Sequence, residues 1–126
     1  MARILIVDDD KDIVEIVKYT MTQAQHEVIE ARNGKEGLER AAADRPDVII
    51  LDIMMPELDG LSVTAQLAAS PATKEIPIII LTAKGRMREA FVSSPNVQRF
   101  MEKPFDPTVL QEEIVAVLAA KRPNRR

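Results

Sequence analysis

The stretch Ile4-Leu5-Ile6-Val7-Asp8-Asp9-Asp10-Lys11 decides how the rest of the chain is read. Four apolar residues in a row stop at three aspartates, so Ile4 to Val7 reads as a buried strand whose carboxyl end is charged. From Lys11 the period changes. Ile13, Ile16, Val17, Thr20, Met21 and Ala24 recur at i, i+3, i+4, i+7, i+8 and i+11, which is the stripe of an amphipathic helix. A short apolar strand running directly into a helix is one unit of a strand–helix alternation, and the remaining sequence repeats it.

Glu27 to Ala31 is a second short strand, followed by Asn33, which can cap a helix, and Glu36, which can reach back to the cap. That helix turns Leu38, Ala41 and Ala42 inward. Pro46 ends it and starts a third strand, Asp47 to Leu51, terminating in Asp52. After a loop with Pro56 and Gly60, a third helix runs from about Leu61 to Ala69 and stops at Ser70 and Pro71. Pro77 to Leu81 is the fourth strand, ending at Thr82. A short fourth helix is expected from about Arg86 to Val92, then a breaker, Ser93-Ser94-Pro95-Asn96, and a fifth strand, Val97 to Glu102, closed by Lys103 and Pro104. The fifth helix opens with Asp106 as cap and Pro107 at its first position and buries Leu110, Ile114, Val117 and Leu118. The predicted fold is α/β: a doubly wound five-stranded parallel sheet with five helices in three layers. In the strand order 2-1-3-4-5, ligands bind at the carboxyl ends of strands 1 and 3, where the winding reverses.

Composition agrees with one folded domain. The 126 residues are 46% hydrophobic and 29% charged, a globular balance, and the length leaves no room for a second domain. Residues 1–120 form the expected domain, and 121–126 a basic tail or cut linker. Aromatics are 3%, with no Trp, which argues against base-stacking modules. Without cysteine there is no disulfide, thiolate metal site or cysteine nucleophile. The longest apolar runs are far short of the roughly 20 residues of a membrane span, and no signal peptide precedes Asp8, so the expected location is cytoplasmic. The net charge of −3 hides an asymmetry. Four of the 17 basic residues lie in the last six positions, and the other 13 face 20 acidic ones. Such a body is a poor non-specific binder of nucleic acid.

On this scaffold the strand ends bring together Asp8 and Asp9, Asp52, Thr82 and Lys103. Each alone is an ordinary cap or turn residue; at one sheet edge they form a site. Clustered carboxylates repel unless protonated or bridged by a hard cation. An oxygen-only donor set without His or Cys points to Mg2+, which keeps several waters and leaves an open face for phosphate. Asp52 then reads as a nucleophile toward a phosphoryl group, with Lys103 neutralising its oxygens and Thr82 donating a hydrogen bond.

These residues resemble the receiver domains of two-component response regulators over about residues 2–120. The matching motifs are Val7-Asp8-Asp9-Asp10, Leu51-Asp52-Ile53-Met54-Met55-Pro56 with Asp59-Gly60, Leu81-Thr82-Ala83 and Lys103-Pro104-Phe105. A chemotaxis receiver is itself the standard example of the strand order given above. The resemblance implies a signalling switch rather than a turnover enzyme, catalysing only its own phosphorylation and dephosphorylation. Asp52 would be the phosphoacceptor, Asp9 the main magnesium ligand, Asp8 its support through water, and Met54 a backbone carbonyl ligand. Thr82 and Phe100 would be the switch pair, altering the face of the fourth helix, fifth strand and fifth helix. The Lys103-Pro104 bond is commonly cis in this family. Implied partners are a histidine kinase or phosphotransfer protein, a downstream protein or linked output domain, and a second copy through the same face, with no membrane or direct nucleic-acid contact.

The pattern departs from the family at Phe100, where many relatives carry Tyr, and at Ser93-Ser94-Pro95-Asn96, where relatives usually carry a Gly-Ala step. Lys84, two residues after Thr82, is a candidate modulator of the phosphoryl lifetime. Lys84, Arg86, Arg88 and Arg99 place four cations near the expected output face, suited to an acidic partner. His26, the only histidine, falls at the far end of the sheet. Two other readings use the same features: an aspartyl-phosphate phosphohydrolase of the haloacid dehalogenase type, from the Asp-x-Asp step, and a flavin or nucleotide module. The first expects Thr or Val at Asp12, a second acidic pair and a longer chain. The second needs a Gly, Ser or Thr rich loop where Asp8 to Asp12 would repel phosphate.

Overall fold

Strand β1 (Arg3–Val7) is an interior strand of the sheet, apolar on both faces, and every residue from Ile4 to Val7 is buried. A computed structural model describes residues 2–52, 60–82, 96–103 and 105–121. Around β1 run α1 (Lys11–Gln23), β2 (Glu27–Ala31), α2 (Gly34–Asp44), β3 (Val48–Asp52), α3 (Gly60–Ala69), β4 (Ile78–Thr82), β5 (Val97–Glu102) and α4 (Pro107–Lys121). All strand pairings are parallel and the order is β2-β1-β3-β4-β5, as expected.

Two apolar clusters make the three layers. Leu5, Val7, Ile49, Leu51, Ile78 and Ile80 point to one face, where Ala41 of α2 and Val63 and Leu67 of α3 cover them. Ile4, Ile6, Val48, Ile50, Ile79 and Leu81 point to the other, under Val14, Val17 and Met21 of α1 and Leu110, Ile114 and Val117 of α4. Because the sheet is buried on both faces, its central strands are continuous apolar runs rather than alternating ones.

Four helices are present among the described residues rather than the five expected; the predicted helix from about Arg86 to Val92 lies outside them. Two stripe assignments change. Ile16 is 43% exposed and Val14 buried, so the inward face of α1 is rotated toward Val14, Val17 and Met21. On α2 Ala42 is exposed, and Gly37 takes the inward place because the helix approaches β1 closely: a Cβ there would lie 3.0 Å from both γ-methyls of Val7. The α2 cap is as expected, with the Glu36 N–H donating to Asn33 Oδ1 at 2.8 Å, but the Glu36 carboxylate accepts from the Arg32 N–H instead of from Asn33. The helix ends at Asp44, with Arg45 left-handed at φ 48°, before Pro46.

Candidate functional site

The chain runs from β1 to β2 on one side and to β3 on the other, so a crevice opens between the carboxyl ends of β1 and β3. The three aspartates after β1 divide into three roles there. Asp10 caps α1, its side chain accepting from the N–H groups of Asp12 at 2.9 Å and Ile13 at 3.4 Å. Asp9 is exposed at the rim. Asp8 is fully buried, its own N–H donating to the Ala31 carbonyl and its Oδ1 accepting from the Asp10 N–H at 2.9 Å.

Asp52, the last residue of β3, is 3% exposed and faces Asp8 across the crevice. Carboxylate oxygens of Asp8, Asp9 and Asp52 all lie within 4.8 Å of one another, a donor set of the hard-oxygen kind that suits a divalent cation. The Lys103 ammonium, just beyond β5, is the positive charge in this group. Its Nζ donates to Asp8 Oδ2 at 3.1 Å and lies 3.3 Å from Asp52 Oδ2.

The electrostatics follow from this geometry. Burial is the main cause that pushes the Asp8 carboxyl up to about 6; the Asp52 charge adds to it, and the Asp10 N–H and the Lys103 ammonium act against it. For Lys103 burial disfavours the charged form, but Asp52 and Asp8 outweigh it and hold the ammonium above its ordinary value. Beside Asp8 and Asp9, Lys11, Glu15, Arg32 and Glu36 help line an open cleft of about 480 Å3.

Of the residues expected at the site, Asp8, Asp9, Asp52 and Lys103 are brought together. Thr82 ends β4, one residue past Leu81, the register partner of Asp52; its side chain lies outside the described residues, as do Met54, Pro104 and Lys84. Phe100 pairs in register with Ile80 and packs, half-buried, against the α2 and α3 side of the core. Of the four output-face cations only Arg99 is described, and it is paired with Glu113. His26 is at the opposite end of the sheet, its Nδ1 accepting from the Ala2 N–H at 3.1 Å. Burial is the main cause that lowers its pKa. Sequence reasoning did not single out the direct Asp8–Lys103 bond, since 95 positions separate the two residues. It also overlooked Asp10 as a cap, although an Asp just before a helical stripe signals one.

The sequence matches the response regulator receiver domain family over residues 4–115. It is 37% identical to the protein PilH of Pseudomonas aeruginosa over 120 residues, covering 94% of this chain and 99% of that one. It is 35% identical to the alkaline phosphatase synthesis transcriptional regulatory protein PhoP of Bacillus subtilis over 117 residues, 92% of this chain and 48% of PhoP. The chain thus spans about half of one relative and nearly all of the other. Among solved structures it is similar to the chemotaxis response regulator CheY4 of Vibrio cholerae, with a TM-score of 0.86, 31% identity and 93% and 98% of the two chains covered. It is also similar to the receiver domain of a sensor histidine kinase of Pseudomonas aeruginosa, with a magnesium ion coordinated in that protein's active-site cleft. There the TM-score is 0.86, the identity 26%, and the coverage 94% and 98%. Among the described residues no helix is long and apolar enough to cross a membrane. Sheet order, acidic crevice and sequence agree, and the chain belongs to the receiver domains of two-component response regulators.

Proposed function

We propose that this chain is a phosphorylation switch in which Asp52 accepts a phosphoryl group from a phosphohistidine of a kinase or phosphotransfer protein. The observation that carries this reading is the Lys103 ammonium set 3.1 Å from Asp8 and 3.3 Å from Asp52 in an otherwise acidic crevice at the fold's ligand-binding edge. An Asp52 carboxylate oxygen attacks phosphorus, the bond from phosphorus to the donor nitrogen breaks, and its electron pair leaves with the imidazole. Lys103 follows the charge onto the phosphoryl oxygens, and the Thr82 hydroxyl donates to one of them.

The oxygen donors of Asp8, Asp9 and Asp52 fit magnesium; these carboxylates would hold the ion, and the family resemblance would add the Met54 carbonyl. Bound there, the ion supplies charge neutralisation that lets an anionic donor approach three carboxylates. The acyl phosphate replaces the single negative charge of the Asp52 carboxylate with close to two, and Thr82 and Phe100 transmit its arrival to the face that includes β5 and α4. That face regulates a partner, a linked output domain or a second copy, and the working location is the cytoplasm.

Intact-mass spectrometry with acetyl phosphate tests the reading. Wild type with Mg2+ gains one phosphoryl group per chain and loses it slowly; Asp52→Asn, or wild type in EDTA, does not. Equal uptake by Asp52→Asn refutes Asp52 as acceptor, and continuous release of inorganic phosphate from many donors per chain favours the phosphohydrolase reading.

A further inference from the structure

Strand β5 is fastened at both ends by charge. At its carboxyl end Lys103 is held by Asp8 and Asp52. Near its amino end the pairing with β4 slips: Ile78 pairs with Val97 but Ile79 with Arg99, so Gln98 is an extra residue, a bulge. Arg99 closes over that bulge. Its Nη1 donates to the Gln98 carbonyl at 3.0 Å, and its Nε donates to Glu113 Oε1 on α4 at 2.7 Å. Just before the bulge, Asn96 is 4% exposed, and among the described residues neither its Oδ1 nor its Nδ2 has a hydrogen-bond partner. A buried polar group without a partner weakens the segment that carries it. The start of β5 is therefore irregular, and among the described residues one ion pair ties it to α4.

We propose that the Arg99–Glu113 pair is a clasp holding the bulged start of β5 against α4 in the unphosphorylated chain, and that phosphorylation of Asp52 opens it. The proposal rests on the phosphoacceptor reading above. A paired strand does not stretch, since its rise is fixed near 3.3 Å per residue, so a pull on Lys103 by a phosphoryl group at Asp52 travels along Met101 and Phe100 to Arg99. The bulge is where the strand can absorb that displacement, because its extra residue is not held by the ladder. Opening frees one cation and one carboxylate on the surface formed by β5 and α4, which a partner would then find rearranged. The pair is suited to a reversible clasp: both side chains are partly exposed, and such pairs shift an equilibrium by roughly threefold to fivefold, not by orders of magnitude.

Hydrogen exchange of the full chain, read on peptides covering β5, tests this in wild type, Glu113→Gln and Arg99→Gln. In the unphosphorylated state both variants are expected to exchange about threefold to fivefold faster than wild type across residues 97–101. Phosphorylation should accelerate wild type to a similar level and add little to either variant. Uptake from acetyl phosphate, at a site remote from the clasp, should be about twofold to fivefold faster in Glu113→Gln, a change that a local packing role would not produce. Unphosphorylated variants that exchange like wild type overturn the clasp. A phosphorylation-induced increment equal in wild type and variants overturns its opening. If wild type gains no phosphoryl group by mass, the acceptor reading and the opening step fail, while exchange of the unphosphorylated variants still decides the clasp.

Discussion

Replacing Asp8 by Asn is expected to stabilise the metal-free protein, although it removes a bond to Lys103. The carboxyl is raised from 3.8 to about 6, chiefly by burial. A rise of roughly two units means that holding Asp8 ionised costs about 3 kcal/mol at neutral pH. The substitution has its own cost. Asp8 accepts from the Asp10 N–H with one oxygen and from Lys103 with the other, and an amide has only one oxygen, so one bond is lost, about 1 kcal/mol. The net gain at pH 7.5 is about 1–2 kcal/mol, on the order of 5 °C in Tm for a domain of this size.

The sign fixes the pH profile. A carboxyl raised in the fold makes the native state bind more protons than the unfolded chain between about 4 and 6, so wild type loses stability as pH rises through that window and is level above it. Asp8→Asn lacks this component. Urea unfolding followed by circular dichroism in EDTA, from pH 4 to 8, should show the variant no more stable than wild type near pH 4 and more stable at 7.5. A variant less stable than wild type at pH 7.5, or a difference independent of pH, refutes the argument.

Lys103→Met removes the ammonium between Asp8 and Asp52. It is expected to lower metal-free stability at pH 7.5 by about 2–3 kcal/mol, less than for a fully buried pair because the side chain is 20% exposed; unchanged urea midpoints would count against the electrostatic account. Asn33→Ala removes the acceptor for the Glu36 N–H and should cost about 1 kcal/mol with phosphoryl uptake unaffected, measured by thermal unfolding and intact mass.

Much of the fold was legible because parallel strands buried on both faces leave short apolar runs that Asp, Pro and Asn interrupt. Ile4 to Val7 and Ile78 to Leu81 are such runs, and both are strands. The helical stripes were less legible. A period of 3.6 over a 13-residue helix tolerates rotation, and in α1 it did not separate Val14 from Ile16; only packing into the apolar cluster that includes Ile6 and Ile50 does. On α2 the inward Gly37 carries no hydrophobic signal, because its contribution is the absence of a side chain next to Val7.

By itself the sequence determined the alternation of elements, the placement of Asp8, Asp9, Asp52 and Lys103 at strand ends, and the family, since these depend on local period and on motifs a few residues long. What only the tertiary structure decided is how those charges differ. Burial beside Asp52 makes the ionised form of Asp8 costly and a Lys 95 positions away offsets part of that cost, while its neighbours become a rim ligand candidate and a helix cap. The Arg99–Glu113 pair and the bulge at Gln98 are likewise invisible in sequence. Charge type is written residue by residue, but desolvation and register are properties of what lies alongside, and they exist only once the chain has folded.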